Sequence, residues 1–225
     1  MQALLHEIFL RSPINLFDEF LLEVQKWYEV PAHTLTEMRT RNNKKLRGDI
    51  FEEFCLLYLK YVKGYETVWL LSEVPDDILV GLKMKRQDMG IDIVVRHGGD
   101  YYAVQCKYKK HSNRAKNVLS WNSLSTFYAM CLRTGPWTKY IVMTNCDYTR
   151  NQGKKTANDV SICIKSFQGI SKGDWLKMCG VEGNVLEEVK PKAAPTAQEL
   201  RDLRVAYYSR YGNQSKFDTT PSVTA

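Results

Sequence analysis

The stretch Asp88-Met-Gly-Ile-Asp-Ile-Val-Val-Arg-His-Gly-Gly-Asp-Tyr-Tyr-Ala-Val-Gln-Cys-Lys-Tyr-Lys-Lys110 predicts a β-hairpin. Two runs rich in Ile, Val, Tyr and Ala flank Gly98-Gly99, and a two-residue turn favours glycine because its central residues take positive φ. A turn at these glycines fixes the register of the two strands. Four pairs of residues then face each other: His97 with Asp100, Val95 with Tyr102, Ile93 with Val104, and Asp92 with Gln105.

The predicted hairpin has two different faces, because successive strand residues point to opposite sides. One face is wholly apolar and carries Ile91, Ile93, Val95, Tyr102, Val104 and Cys106. The other face carries Val94, Arg96, Tyr101, Ala103, Asp92, Gln105 and Lys107. Opposed Cβ atoms are roughly 5 Å apart and diagonal ones about 7–8 Å, so the last three side chains converge at the open end of the hairpin. The alternative is an exposed strand end with ordinary surface polar groups, and a longer turn would shift the register.

The chain has 225 residues, of which 44% are hydrophobic and 25% charged. This length and composition are typical of a soluble globular protein with one domain and a hydrophobic core. The cysteines form no C-x-x-C motif and mostly lie in apolar runs, which favours buried free thiols in a reducing compartment. The four histidines are too scattered to predict a zinc site. The sequence has no signal-type N-terminus and no apolar run of membrane-spanning length. We therefore expect an intracellular protein, in the cytoplasm or nucleus, with no membrane partner.

The basic residues are clustered, which adds to the hint of an anionic partner given by the net charge of +7. The four clusters border the predicted site: Arg39, Arg41, Lys44, Lys45 and Arg47; Lys83, Lys85 and Arg86; Lys107, Lys109, Lys110, Arg114 and Lys116; Arg150, Lys154 and Lys155. A solvated loop is the alternative for any single cluster. The residues predicted to contact nucleic acid are Lys44, Lys45, Arg47, Arg86, Lys109, Lys110, Arg114, Lys116, Arg150 and Lys154.

The first 63 residues are predicted to be helical. Residues 2–10 and 15–29 are typical of two helices, and residues 34–43 of a short third one. The strongest helical pattern is 46–63, where apolar residues recur at helical spacing: Ile50, Phe51, Phe54, Leu57, Tyr58, Tyr61 and Val62. Glu52 and Glu53 lie at the two borders of this apolar stripe. Periodicity alone does not decide which of the two faces the hairpin.

The rest of the chain alternates between strands and helices. Around the hairpin the predicted elements are a strand at 66–71, a loop at 72–87 with room for short structure, a helix at 117–132, a strand at 140–144, a polar helix at 150–159, a strand at 161–165 and a helix at 171–178. This order implies an α/β (α+β) fold with a mixed sheet flanked by helices. We expect a helical N-terminal extension (1–45), one α/β domain (46–180), and a linker with a flexible tail (181–225) that includes a short amphipathic helix.

The converging polar residues predict a metal site. Asp92 and Gln105, with a helix carboxylate nearby and the backbone carbonyl of Cys106, make an oxygen-only donor set, which suits Mg²⁺ or Mn²⁺. Such a metal ion activates water and neutralises charge on a phosphoryl oxygen. Lys107 is placed to orient the water or to stabilise developing charge. The residues alone therefore predict metal-assisted hydrolysis of a phosphodiester in nucleic acid. The basic clusters are predicted to bind the nucleic acid through its phosphates.

These residues also carry a resemblance to a known family. Gly48-Asp-Ile-Phe-Glu52 on a helix, Asp88-Met-Gly-Ile-Asp92 and Val104-Gln-Cys-Lys107 resemble the PD-(D/E)xK nuclease superfamily, and in particular its Mrr-like, restriction-endonuclease-like branch with a Q-x-K motif. The segments 140–145 and 161–165 resemble the second half of that domain. The resemblance covers about residues 46–178.

The resemblance implies an αβββαβ core and Mg²⁺-dependent cleavage of DNA. It makes Asp92, Gln105, Lys107 and Glu52 the catalytic residues, and it favours Glu52 over Glu53 because the family's glutamate follows the aromatic residue of G-x-x-F-E. The metal ligands that it implies are Asp92, Gln105, Glu52 and the Cys106 carbonyl. The neutral Gln105 removes one negative charge relative to the commoner D/E-x-K site, so metal binding depends more on Asp92 and Glu52.

Three functions follow from the sequence, and they stay open at this point. The first is a divalent-metal-dependent endonuclease acting on DNA, most simply duplex DNA. The second is a catalytically inactive DNA-binding module of the same fold. The third is an RNA nuclease or a resolvase of branched DNA. Homodimer formation and a place within a larger multidomain protein are also left open.

Overall fold

The predicted hairpin forms with its predicted register. In a computed structural model, which describes residues 1–12, 14–29, 34, 43–87, 90–110, 117–150 and 156–181, strand β2 (Ile93–His97) pairs antiparallel with β3 (Asp100–Lys107). Gly98 and Gly99 form the turn with φ of 61° and 85°. The opposed pairs include His97 with Asp100 and Ile93 with Val104. Glycine is required there because other residues rarely adopt positive φ.

The hairpin is the middle of a five-stranded mixed sheet. The other strands are β1 (Thr67–Leu70), β5 (Lys139–Thr144) and β7 (Asp159–Ile162), in the order β1-β2-β3-β5-β7. The first three strands pair antiparallel, whereas β3, β5 and β7 run parallel. A second, two-stranded parallel sheet joins β4 (Val118–Leu119) to β6 (Tyr148–Thr149). This arrangement is the mixed sheet flanked by helices that the sequence predicts.

Seven α-helices accompany the sheets in the part of the chain that the structure describes. Four precede or interrupt the sheet's first half and three follow: α1 (Gln2–Arg11), α2 (Leu16–Glu29), α3 (Asn43–Leu57), α4 (Asp76–Gly81), α5 (Ser125–Arg133), α6 (Ile164–Gln168) and α7 (Lys172–Met178). A π-helical turn, Tyr58–Val62, continues α3, and short 3₁₀ turns occur at Leu71–Glu73 and Trp121–Ser123. All of these elements lie within one compact unit, Met1–Glu182.

The sheet is covered on both faces. On one face, Val95, Val104 and Met143 pack with the aromatic residues of the helices that flank them: Phe17, Phe20, Phe51, Phe54, Phe167 and Trp175. On the other face, Val94, Ala103 and Val142 pack with residues of α4, α5 and the loops near them, among them Val74, Leu79, Leu124 and Phe127. Both faces are therefore buried, and polar side chains can converge only at the ends of the strands.

The sequence-based prediction was wrong at Ile91. We expected it on the face of Ile93 and Val95, but it packs in the second core with Val94 and Ala103. The reason is that β2 begins only at Ile93, so the regular alternation of a strand does not extend back to Ile91.

Some element boundaries also differ from the prediction. Residues 117–124 contain no α-helix, because Val118–Leu119 pairs with Tyr148–Thr149, Trp121–Ser123 forms a 3₁₀ turn, and α5 begins only at Ser125. The last large strand ends at Ile162, and Lys165 lies in α6. In the predicted polar helix 150–159, Asp159 is instead the first residue of β7, and residues 151–155 lie outside the described part. The predicted third helix, 34–43, lies almost wholly outside it as well.

Candidate active site

Asp92 is fixed at the point where the chain enters the hairpin. Its backbone N–H donates to the Val104 carbonyl at 2.9 Å, and its carbonyl accepts from the Leu71 N–H at 2.9 Å. Its carboxylate oxygen Oδ2 accepts two hydrogen bonds, from the Cys106 backbone N–H at 2.6 Å and from the Gln105 side-chain amide at 2.5 Å. The carboxylate is therefore held by the neighbouring strand at two points, which fixes its orientation.

Gln105 lies next to Asp92, and a hydrogen bond between their side chains defines the role of the Gln105 amide. The side chain is only 2% exposed, and its Nε2 donates to Asp92. Its Oε1 faces Gly90, since a Cβ built on Gly90 would lie 3.6 Å from that oxygen. Gly90 also has a φ of +82°, which favours glycine at this position. Gln105 thus serves Asp92 as a hydrogen-bond donor.

Glu52 and Asp92 both line one cleft, with a volume of about 590 Å³. The cleft lies between the first turns of α3 and the entry to the hairpin. Its lining consists of Lys45, Gly48, Asp49, Glu52, Glu53, Leu70, Leu71, Ser72, Arg86, Ile91 and Asp92. The sequence-based prediction did not single out Asp49, because an acidic residue one turn before a candidate glutamate looks like an ordinary exposed helix residue.

The two helix glutamates are distinguished by their surroundings. Burial raises the pKa of the Cys106 thiol, and the negative charges of Asp92 and Glu52 raise it further. The same two carboxylates act on the buried Cys55 thiol, whose pKa burial also raises. Glu53 instead lies 3.7 Å from the N-terminal amine of Met1. Both glutamates line the cleft, and Glu52 is the one whose charge acts on Cys55 and Cys106.

Lys107 ends β3 and is half-buried. It is two residues beyond Gln105 and so lies on the same side of the strand. It pairs with Thr144 of β5, and its carbonyl accepts a hydrogen bond from the Thr144 hydroxyl at 2.8 Å. Its side chain is not among those that line the cleft. The structure thus brings Asp92, Gln105 and Glu52 together, with Lys107 at the adjoining end of the strand.

The residues predicted to contact nucleic acid fall into three groups. Those with exposed side chains are Lys44, Lys45, Arg86, Lys109, Lys110 and Arg150. Arg114, Lys116 and Lys154 lie outside the described residues. Arg47 does not have the exposed side chain that the prediction requires, because it is only 8% exposed and its guanidinium lies 5.5 Å from the centre of the Tyr108 ring. Arg47 therefore packs within the protein and presents little charge to solvent.

Arg86 and Lys109 are exposed cations whose side chains hydrogen-bond to other groups of the protein. Arg86, at the edge of the cleft, donates to the Ser72 carbonyl and to Asp76, each at 2.5 Å. The Lys109 ammonium donates to the Val118 carbonyl at 3.0 Å. These bonds fix where the positive charges sit, and the Arg86 charge lies on the same cleft as Asp92 and Glu52.

The donor set fits a hard divalent cation by its chemistry. No group of three His, Cys, Asp or Glu side chains that could hold a metal ion occurs among the residues described. The predicted set contains two carboxylates, from Asp92 and Glu52, and its other donors are neutral oxygens. Oxygen donors suit Mg²⁺ and Mn²⁺, which keep several water ligands and need few protein side chains.

The cysteine side chains are not suited to bind such an ion as thiolates. None of the six forms a disulfide bond, and five of them are buried: Cys55, Cys106, Cys131, Cys146 and Cys179. Burial raises the pKa of each of these five thiols, to about 12 for Cys131 and about 11 for Cys179. Neutral thiols are poor metal ligands, so the oxygen donors are the relevant ones.

Comparisons with known proteins agree with the fold. Within the described residues, no helix has the length and apolar character needed to cross a membrane. No curated protein and no solved structure matches the chain. A family model described as restriction endonuclease matches residues 59–178, which is more than half of the chain. The chain therefore belongs to this restriction endonuclease family, Mrr_cat_2, a family of nucleases that act on DNA.

Proposed function

We propose that this protein is a divalent-metal-dependent endonuclease that hydrolyses phosphodiester bonds in duplex DNA. The observation that carries the proposal is the Asp92 carboxylate, which is held by a hydrogen bond from Gln105 and lines the same cleft as Glu52. Family membership supports the nuclease class, and the oxygen donor set supports a hard cation.

Each residue has a distinct role in the proposed reaction. Asp92, Glu52 and the Cys106 carbonyl would hold Mg²⁺ or Mn²⁺, which would supply an activated water and neutralise charge on the phosphoryl oxygens. Gln105 orients the Asp92 carboxylate through its amide. The Cys106 N–H keeps the Asp92 carboxylate turned toward the cleft. Lys107 supplies a positive charge that orients the attacking water or stabilises the charge that develops on the phosphate.

The DNA backbone is held by the cations around this site. Lys44, Lys45 and Arg86 lie beside the cleft, and Lys109, Lys110 and Arg150 lie beyond Lys107. Arg114, Lys116 and Lys154 belong to the same basic segments and are proposed to act with them. Cations of this kind bind phosphates by releasing counterions, which gives affinity without reading sequence.

The test is cleavage of supercoiled plasmid DNA with Mg²⁺ or Mn²⁺ by the wild type, Asp92→Ala and Lys107→Ala. We expect the wild type to produce nicked or linear DNA, and each variant to be slower by about 10²-fold or more because a metal ligand or the charge-stabilising lysine is lost. Lys172→Ala removes an exposed lysine on α7, away from the cleft, and should cleave like the wild type. Cleavage that persists in both site variants would remove this site from the chemistry.

One observation favours a second candidate, a DNA-binding module without activity. The Gln105 amide nitrogen, rather than a carboxylate oxygen, faces Asp92. If the wild type binds duplex DNA in a salt-sensitive way but leaves it intact in both metals, this second candidate replaces the first. Including single-stranded, branched and RNA substrates in the same assay separates the RNA nuclease and resolvase alternatives.

A further inference from the structure

The end of β3 is held by side chains of the neighbouring strand. The backbone ladder between β3 and β5 ends at the pair Lys107 and Thr144. There the Thr144 hydroxyl donates to the Lys107 carbonyl at 2.8 Å. Two residues further on, the Asn145 side chain accepts from the Lys109 N–H at 2.8 Å and donates to the Lys109 carbonyl at 2.7 Å. These side chains therefore continue the strand pairing where the ladder stops.

We propose that Thr144 and Asn145 are positioning residues that hold Lys107 in place for the cleavage reaction. The inference rests on the proposed nuclease function and adds two residues to its site. Thr144 is fully buried and Asn145 is 4% exposed. The Thr144 hydroxyl also accepts from the Cys146 N–H at 3.2 Å, so a donor and an acceptor both fix its orientation.

Lys107 needs this support because of where it lies. A lysine ammonium sits on a flexible four-carbon stem, so its reach is defined only if its backbone is fixed. The preceding residue, Cys106, supplies the N–H that holds Asp92. A displacement at the end of β3 would therefore disturb both Lys107 and the Asp92 carboxylate. Misplacement of catalytic groups by about 1 Å is enough to reduce rates by about 10²-fold.

The experiment compares two substitutions at Thr144 with a matched control. Thr144→Val keeps the shape and removes the hydroxyl, whereas Thr144→Ser keeps the hydroxyl. The control is Thr134→Val, because the Thr134 hydroxyl also donates to a backbone carbonyl, that of Met130 at 2.8 Å, and accepts from an N–H, that of Trp137 at 3.0 Å. The control bonds lie at the end of α5, away from the cleft.

We expect Thr144→Val to lower the kcat for plasmid cleavage by about tenfold or more while the KM for DNA changes by less than about twofold. Thr144→Ser should recover most of the rate, and Thr134→Val should leave kcat unchanged at a temperature where each variant is folded. A kcat for Thr144→Val within about twofold of the wild type overturns the positioning role. Equal losses of kcat in Thr144→Val and Thr134→Val also overturn it, because they indicate a general loss of stability.

Amide hydrogen exchange of the peptide covering residues 105–110 gives a readout that does not need catalysis. Thr144→Val and Asn145→Ala should speed exchange in this peptide, and Thr134→Val should instead affect the peptide covering 130–137. Unchanged exchange at 105–110 in Thr144→Val overturns the proposal whatever the activity is. A wild type that does not cleave any substrate overturns the proposed function and the positioning role with it, whereas an active wild type with an unaffected Thr144→Val overturns the positioning role alone.

Discussion

At the scale of single residues, the pairing of Asp92 with Gln105 is the unusual feature of this site. A partly buried carboxylate is stabilised by hydrogen-bond donors, and in this site both donors come from β3. A glutamate in place of Gln105 would put a second negative charge beside the first, in a position that is 2% exposed. The neutral amide therefore lets the metal-free protein fold without that repulsion, and it lowers the negative charge available to a metal.

Gln105→Glu should consequently make folding depend on the metal ion. Without divalent metal at neutral pH, we expect the free energy of unfolding to fall by about 2–4 kcal/mol, because a buried like-charge pair replaces a hydrogen bond. The folded-state pKa of the new carboxyl is raised by burial and by Asp92. The stability loss should therefore be small near pH 4 and grow as the pH rises through that raised pKa. Adding Mg²⁺ should restore more stability to this variant than to the wild type.

Thermal melts in EDTA and in Mg²⁺ from acid to neutral pH measure both effects. The matched control is the double variant Asp92→Asn and Gln105→Glu, which exchanges the amide and the carboxylate and keeps one charge. It should be more stable than Gln105→Glu alone when no metal is present. A Gln105→Glu protein as stable as the wild type in EDTA would contradict the stabilising role of the amide.

At the scale of elements, the sequence predicts what local patterns determine. Gly98-Gly99 and the apolar runs beside it give the hairpin and its register, which runs from His97–Asp100 to Ile93–Val104, and Asp92 comes directly before this strand and reaches Gln105 by a hydrogen bond. Helix α3 is predicted because its apolar stripe repeats over many turns. The pairing of β4 with β6 was not predicted, because two-residue strands have no periodicity and depend on a partner about 30 residues away.

The side-chain supports of the site could not be predicted for a similar reason. Thr144 was part of a predicted buried strand, but nothing in the sequence says that its hydroxyl meets the Lys107 carbonyl. The presence of Asp49 in the cleft likewise depends on how α3 is placed against the hairpin entry. Tertiary packing decides such contacts, so they appear only once the elements are assembled.

The N-terminal helices are packed as part of the fold. The Trp175 indole N–H of α7 donates to the Leu5 carbonyl of α1 at 3.0 Å, and Asn15 donates to the Gln168 carbonyl at 2.8 Å. Phe17 of α2 is fully buried, with ring centroids 5.2 Å from that of Phe54 and 4.8 Å from that of Phe167. Because Phe54 is on the helix that carries Glu52, α2 supports the site through α3.

Phe17→Ala should therefore destabilise the whole protein. We expect a loss of about 3–5 kcal/mol in the free energy of unfolding, in one cooperative transition, because a large aromatic side chain is removed from a packed core. Leu22→Ala on the same helix is the control, since Leu22 is 48% exposed, and its effect should stay within about 0.5 kcal/mol. Denaturant unfolding followed by fluorescence and circular dichroism measures both. A separate early transition in which only residues 1–45 unfold would contradict the shared core.

At the scale of the whole molecule, the site depends on more of the chain than the family match covers. The match begins at residue 59, in the π-helical turn, whereas Glu52 and the cleft residues of α3 come before it. Helix α3 contributes both the Glu52 carboxylate and Lys45 to the cleft. A fragment limited to the matched residues would therefore lack one wall of the proposed site.

The distribution of charge over the molecule leads to the last prediction. The net charge of +7 alone would attract any polyanion, but we propose that DNA bound at this cleft depends on Lys45 and Arg86, which line it. Each phosphate contact that is lost should reduce the dependence of affinity on salt, by about 0.9 in the slope of log K against log salt concentration. For the double variant Lys45→Gln and Arg86→Gln, we expect the slope to fall in magnitude by about 2 relative to the wild type.

The measurement is duplex DNA binding by fluorescence anisotropy over a range of salt concentrations, without divalent metal. The control, Arg133→Gln with Lys172→Gln, removes the same net charge from exposed positions on α5 and α7 that do not line the cleft. If the two double variants change the slope equally, DNA responds to the overall charge of the protein, and the cleft has no special part in holding it.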